Sequence, residues 1–298
     1  MKGNAIRESA ADRLFLTLVY AMLTLVLFVI LVPLVHIVSA SFSSPEAVTS
    51  GRVWLWPVEF SLEGYKAVFR NSNILTGYAN SLYYAVVGTF VNVAMTVMIA
   101  YPLSRKTFYG RHAIMIALAF TMFFDGGLIP NYMVVKWLGL LDTRWAMIIP
   151  GAFAVFQVIV ARTFFQTTIP DELAEAAEMD GCSDMTFIRK VVLPLSKPIL
   201  AVMTLMYAVG HWNAYFGALI YLKNADLFPL QIFLRNILIL NSVDPTMVAN
   251  VNDLLVQQGL KDLLKYSLIV VASAPVLLIY PFVQKHFVKG VMIGSLKG

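Results

Sequence analysis

No charged side chain occurs between Arg13 and Glu46, and residues 14–40 are almost all apolar. A run of that kind has few ways to fold. About 20 apolar residues in a helix cross the hydrocarbon core of a bilayer. Inside lipid each backbone N–H and C=O must be satisfied within the segment, which a helix achieves and an open strand does not. The run is far longer than the roughly 7–15 residues of a signal peptide's hydrophobic region, so it reads as a retained anchor. Composition extends the argument to the whole chain. Of 298 residues, 59% are hydrophobic and 13% charged, against about 25% charged in soluble domains. Once the apolar segments are set aside, no soluble catalytic domain of ordinary size remains.

The pattern predicts an all-α, polytopic membrane protein built as one domain over 1–298. Six spans are expected, at about 14–40, 78–101, 112–137, 145–165, 198–222 and 266–284. The third is the least regular, because Asp125, Gly126, Gly127 and Pro130 fall inside it. With the N-terminus inside, the inner segments 1–13, 102–112, 162–197 and 285–298 carry 13 of the 22 basic residues. That bias sets both termini in the cytoplasm by the positive-inside rule. The two substantial outer segments are then 41–77, with Trp54, Trp56 and Pro57, and 223–265, polar over Asn241–Gly259. Cys182 is the single cysteine, which excludes an internal disulfide and a cysteine-based metal site. The net charge of +5 suits a membrane lipid surface, and no basic-aromatic pattern argues for nucleic acid.

One stretch breaks the apolar character. Residues 172–194 form a strongly charged, helix-favouring island between the fourth and fifth spans. Thr168 is placed to cap a helix, Pro170 is tolerated in a first turn, and Asp171 sits where a capping-box acid would. Gly181 is expected to end that helix. A second short helix is expected from about Asp184 to Val192, stopped by Pro194. Glu172, Glu175 and Glu178 recur at spacings of three, while Ala176 and Ala177 leave a smooth surface. The spacing alone suits a docking element and an ordinary amphipathic surface loop equally.

Glu175-Ala176-Ala177, Gly181, Val191, Leu193 and Pro194 resemble the motif E-A-A-x3-G-x9-I-x-L-P of ABC importer permeases, with valine for isoleucine as the one departure. Asn80-Ser81-Leu82 and Ala100-Tyr101-Pro102-Leu103-Ser104-Arg105 are similar to further segments of that family, and the glycine-rich tail Lys289–Gly298 resembles its maltose-type branch. Gly126–Tyr132 and Leu138–Thr143 look closest to permeases for complex or acidic oligosaccharides such as alginate or pectin fragments. The resemblance implies a type I ABC importer permease fold in a prokaryotic inner membrane. It implies a second permease, as a heterodimer, two ATPase subunits and an extracytoplasmic sugar-binding protein as partners. Cytoplasmic coupling helices in 166–197 would dock on an ATPase through Glu172, Glu175, Ala176, Ala177, Glu178, Asp180, Gly181, Leu193 and Pro194. The chain has no cofactor of its own: no glycine is followed by lysine, so a phosphate loop is absent, and ATP and Mg belong to the ATPase partners.

The substrate pathway should expose polar groups that lipid would exclude. Asp125 fits that role or that of a helix-end residue at the outer interface. Trp212, Asn213 and Tyr215 suit a sugar, with its CH face and hydroxyls, and suit interfacial or helix-packing roles equally well. Asn80, Tyr84, Asn131 and Tyr132 are further pathway candidates. Two other classes compete. An ion-gradient-driven secondary transporter would want intramembrane carboxylates and inverted repeats, but Asp125 stands alone and no repeat is visible. A membrane enzyme would want a metal-spaced pair or a nucleophile constellation, and neither appears.

Overall fold

The computed structural model describes residues 9–238, 259 and 261–279. Most of the expected polar outer stretch, the end of the sixth span beyond Ile279 and the tail Lys289–Gly298 lie outside the described residues. The helices are α1 (Ala10–Ser41), α2 (Pro45–Thr49), α3 (Glu63–Arg70), α4 (Ser72–Ser104), α5 (Arg111–Phe123), α6 (Leu128–Trp137) and α7 (Val155–Thr168). They continue as α8 (Asp171–Met179), α9 (Asp184–Leu195), α10 (Lys197–Trp212), α11 (Phe216–Tyr221), α12 (Leu230–Leu238) and α13 (Lys261–Ile279). No strand occurs among the described residues. Among the described residues α1, α4 and α13 are long and apolar enough to cross a membrane, and up to five segments are if each of two bent helix pairs is taken as one span.

The chain divides into two compact units, 1–71 with 241–271, and 72–240 with 272–298. In the first, α1 begins with a reciprocal capping box. Asp12 N donates to Ser9 Oγ at 3.1 Å, and Ser9 N donates to Asp12 Oδ2 at 3.2 Å. That satisfies two donors which a helix start leaves open. The most apolar window of α1 has no buried residue, so its side chains are solvated by something other than this chain. At the far end Ala40, Ala47 and Val53 form a small core. Ser39 Oγ donates to Leu55 O at 2.7 Å and His36 Nδ1 to Trp54 O at 3.0 Å, fixing the following loop against the last turns of α1.

The second unit is organised by α4 against α7 and α10. Ala100 and Leu103 meet Val158, Ala161 and Phe165, with Phe187, Val192 and Met203 completing the core. Ala100 and Ala161 are wholly buried; small residues let helix backbones approach where lipid supplies no hydrophobic drive. Midway along α4, residues Tyr84–Gly88 widen into a π turn. Gly88 lies under the His211 ring of α10, and a Cβ there would fall 2.5 Å from Nε2. The α4–α10 crossing therefore requires glycine at position 88.

Three expected spans are irregular. The third is two helices, α5 and α6, at 118°. Gly127 at φ +84° and the Asp125 side chain, whose Oδ1 accepts from Gly127 N at 3.2 Å, account for that break. The fourth starts as a 3-10 turn, Arg144–Met147, and becomes α-helical only at Val155, because Pro150 and Gly151 interrupt it. At 14 residues, α7 is about 21 Å long. The fifth is α10 followed by a break at 213–215 and then α11.

Candidate functional site

The charged island folds as an exposed helix with a glycine elbow. α8 runs Asp171–Met179 and buries none of its residues. Its end is a Schellman turn. Cys182 N donates to Ala177 O at 2.9 Å and Gly181 N to Glu178 O at 3.0 Å, with Gly181 at φ +69°. Glycine adopts that left-handed conformation without a Cβ penalty. The start differs from expectation. Thr168 closes α7 instead of capping α8, and Pro170 stands at the N-cap with no side-chain bond. Asp171 pairs instead with cations of the α4–α5 connection, Arg105 Nη1 at 3.2 Å and Lys106 Nζ at 2.9 Å. The hydrogen bond from Lys106 leads, with the charges of Lys106 and Arg105 behind it, in holding the Asp171 carboxyl below the usual carboxylate range. The proline side chain offers no acceptor to the open N–H groups of the first turn, so the acidic charge of Asp171 and Glu172 stands at the positive dipole end instead.

Helical geometry sorts the island into two faces. Glu172, Glu175, Ala176 and Met179 are exposed and fall at i, i+3, i+4 and i+7, one stripe of a helix. Glu178, Asp180 and Gly181 are exposed beside it. Ala174 and Ala177 turn the other way and pack on the core around Phe187. The expected smooth pair, Ala176 with Ala177, is therefore split between an outward and an inward face. Met179, 89% exposed, ends the outward stripe; sequence reading passed it over because methionine in an apolar chain is unremarkable. α9 also departs from expectation. It is capped by Ser183, turns π-helical over Ile188–Val192 and runs past Pro194 to Leu195. A widened turn accommodates the N–H that proline lacks. Leu193 is half-buried and Pro194 exposed. The 84° bend follows between Leu195 and Lys197.

A second polar group lies within the helices. Asn92 Nδ2 donates to Gly151 O, and its Oδ1 accepts from His211 Nε2 at 2.5 Å. A carbonyl only accepts, so the Gly151 bond fixes the amide orientation and makes Nε2 the protonated ring nitrogen. One turn further along α4, Thr96 Oγ1 and Tyr207 Oη share a hydrogen bond of 2.7 Å, and Ala154 N donates to Tyr207 Oη at 3.1 Å. Together α4 and α10 satisfy the backbone of the non-helical stretch before α7. Irregular backbone at membrane depth requires such partners. Sequence analysis missed Asn92, His211 and Tyr207 in this role; Pro150-Gly151 in an expected span was the available signal.

The expected pathway residues do not converge on one surface. Asn80 and Tyr84 are buried. Asn80 Nδ2 donates to Asp226 O and Phe228 O at 2.7 and 3.1 Å, and Tyr84 Oη to Leu227 O at 2.8 Å. Arg144 Nη2 reaches Asn80 Oδ1 at 3.2 Å, so both side chains are committed to holding the 226–228 turn. Asp125 is exposed and caps the start of α6: its Oδ1 accepts from Gly127 N and Asn131 Nδ2, each at 3.2 Å. Tyr132 stacks on Tyr221 at 6.3 Å. Trp212 is buried, with Nε1 donating to Ala272 O at 2.9 Å, and borders an apolar cavity of about 680 Å3 with Phe90, Val209 and Val276. Asn213 and Tyr215 are exposed in the break after α10, and Asn213 Nδ2 donates back to Val209 O at 3.0 Å. The segment Leu138–Thr143 has a structural role: Asp142, at φ +56°, accepts from Lys223 N and Asn224 N, both at 2.8 Å. Among the described residues no group of three or more His, Cys, Asp or Glu could hold a metal ion.

Helical architecture, apolar helices long enough to cross a bilayer and an exposed charged helix with a glycine elbow are those of a polytopic membrane protein. Residues 4–293 match the family described as the binding-protein-dependent transport system inner membrane component, and the chain belongs to that family. It is 41% identical over 290 residues to the polygalacturonan/rhamnogalacturonan transport system permease protein YtcP of Bacillus subtilis (strain 168), covering 96% of this chain and 99% of that one. Protein LplC of the same organism is 41% identical over 269 residues, 90% of each chain. The fold matches a crystal structure of a bacterial ABC transporter involved in the import of the acidic polysaccharide alginate. That match has a TM-score of 0.87 and 34% identity, over 95% of this chain and 100% of that one. The chain is thus an inner-membrane permease subunit of an ABC importer, and the gradient-driven and enzymatic alternatives find no support.

Proposed function

We propose that the chain imports acidic oligosaccharides, pairing with a second permease to form a pathway supplied by an extracytoplasmic binding protein and driven by two ATPase subunits that hold ATP and Mg. The relatives described as transporting polygalacturonan/rhamnogalacturonan and alginate support that substrate class. In this reading six spans cross the membrane, with α5 and α6 together as the third. Both termini and the 166–197 region are cytoplasmic. α8 is the coupling helix, carrying Glu172, Glu175, Ala176, Glu178, Asp180 and Met179 outward to the ATPase, with Gly181 as the elbow and α9, including Leu193 and Pro194, behind it. Asn213 and Tyr215, exposed in the α10–α11 break, and Asp125, Asn131 and Tyr132 near the α5–α6 bend are the remaining pathway residues. Asn80 and Tyr84 act as supports of the outer segment and Trp212 as a tie to α13, none of them as sugar contacts.

The observation that carries the docking assignment is the exposed stripe Glu172, Glu175, Ala176 and Met179 on a helix whose inward residues, Asp171, Ala174 and Ala177, are only half-buried. An isolated nine-residue helix is marginal in water, and this one buries nothing of its own; a partner's groove would supply the missing burial. Glu175→Lys tests it. Surface changes of this kind alter stability by only about 0.5 kcal/mol, so the variant should fold and reach the membrane yet lose the ATPase subunit on co-purification, or hydrolyse ATP without transport. A variant that keeps the subunit and transports normally would end the docking assignment.

A further inference from the structure

α8 can drive the spans only if its displacement reaches them, and its own packing is slight. It buries no residue, and a cavity of about 610 Å3 separates part of it from the end of α4, bordered by Pro102, Thr107, Glu175 and Phe187. Two cations, Arg105 and Lys106, reach across it to Asp171, and Arg105 is the buried one. Arg105, the residue directly after α4, is 11% exposed at its side chain. Its guanidinium lies against two adjacent rings, Tyr101 of α4 at 5.4 Å and Phe187 of α9 at 5.8 Å, whose centroids are 6.4 Å apart. Nη1 donates to Asp171 Oδ1 at 3.2 Å and to Ile169 O at 3.4 Å. The backbone carbonyl of Arg105 accepts from Arg111 Nη1, at the start of α5, at 3.0 Å. A single residue thus meets α4, the α7–α8 link, the first residue of α8, α9 and α5.

We propose that Arg105 and Asp171 form a strut that carries movement of α8 into α4, with Arg105 as a positioning residue. The inference rests on α8 being the helix that docks on the ATPase. A guanidinium suits the place because it is planar, always charged and able to lie against aromatic rings while donating in its plane, which an ammonium cannot do. Lys106, 78% exposed at its side chain, shares Asp171 but touches neither ring. From Arg105 the helix continues to Asn92 and Gly88, which engage His211 of α10. A shift at this end of α4 therefore bears on the crossing with α10 through a continuous chain of contacts.

The test uses the complete transporter in liposomes, in a Cys182→Ser background carrying Phe90→Cys. Phe90 is exposed on α4 and borders the cavity shared with α10. The rate of maleimide labelling at position 90 is compared with and without ATP plus vanadate. Arg105→Gln should retain the ATPase subunit and its hydrolysis while the nucleotide-dependent change in labelling falls about tenfold. Arg105→Lys should recover only part of it, and Lys106→Ala should leave it intact. If Arg105→Gln does not assemble, Asp171→Asn, which keeps shape and removes only charge, decides by the same reading. A response within about twofold of the parent in these variants overturns the strut, as does a parent whose position 90 never responds to nucleotide. Glu175→Lys separates the two ideas. If it abolishes the response while Arg105→Gln does not, docking stands and the strut falls. If Glu175→Lys changes neither subunit retention nor labelling, the docking assignment is what fails.

Discussion

Two of the polar groups in this apolar chain answer their cost in opposite ways. The Asn92–His211–Tyr207 seam turns inward and bonds other parts of the same chain. The α8 stripe turns outward, and its glutamates have no partner in the chain that an ion pair would register among the described residues. A buried polar group left unpaired costs about 1–3 kcal/mol, so the seam is required by folding. An exposed carboxylate costs nothing to leave in water, so folding does not explain the stripe. The difference separates what holds the protein together from what it offers to a partner.

The seam should therefore be the more fragile of the two. Asn92→Leu keeps the volume and strands both Gly151 O and His211 Nε2. Loss of about 2 kcal/mol is expected, read as a lowered thermal midpoint of the purified protein in detergent; an unchanged midpoint would mean the seam is decorative. The two alanines of α8 sharpen the contrast within one helix. Ala177→Leu turns inward, where Ala177 packs on the core around Phe187 and borders the cavity beside α4, and should shift stability by more than about 0.5 kcal/mol. Ala176→Leu, pointing outward, should stay within about 0.5 kcal/mol yet obstruct the ATPase groove, read as loss of the co-purified subunit. Equal melting for the two variants would dissolve the distinction between faces.

The smallest effect concerns Asp142. Backbone hydrogen bonds from Asn224 and Lys223 hold its carboxyl below the ordinary carboxylate value. A lowered folded value means the tie contributes fully above the ordinary carboxylate range and is lost as pH falls through the lowered value. The amides of Lys223 and Asn224 should lose protection from hydrogen exchange, relative to their neighbours, on that acid side. In Asp142→Asn, where the acceptor oxygen persists and cannot titrate, the same amides should show no such pH dependence. Acid-insensitive protection in the unaltered protein would assign the turn to packing instead.

The island was legible because its signals are local. Glycine after a run of helix formers predicted the elbow at Gly181, and the helix expected over 172–180 is found over Asp171–Met179. Its start was misread because Thr168 and Asp171 looked like a capping pair, while the structure assigns Asp171 to Arg105, far away in sequence. The pathway candidates fared differently. Asn80 and Tyr84 are the polar residues one would choose, yet their partners are carbonyls of the 226–228 turn, which no spacing within α4 reveals.

The sequence by itself determined the solvent of this protein, its helical class, the position of the charged helix and the family to which it belongs. Those follow from runs and motifs a few residues to a few turns long, where hydrophobicity, proline, glycine and charge act on their own neighbourhood. Tertiary structure decided the rest: that Ala177 faces in and Ala176 out, that the third expected span bends by 118°, and that Asn92 serves a carbonyl on another segment. Each of these is a choice between partners distant in sequence. Hydrogen bonding and close packing make that choice only once the helices have met.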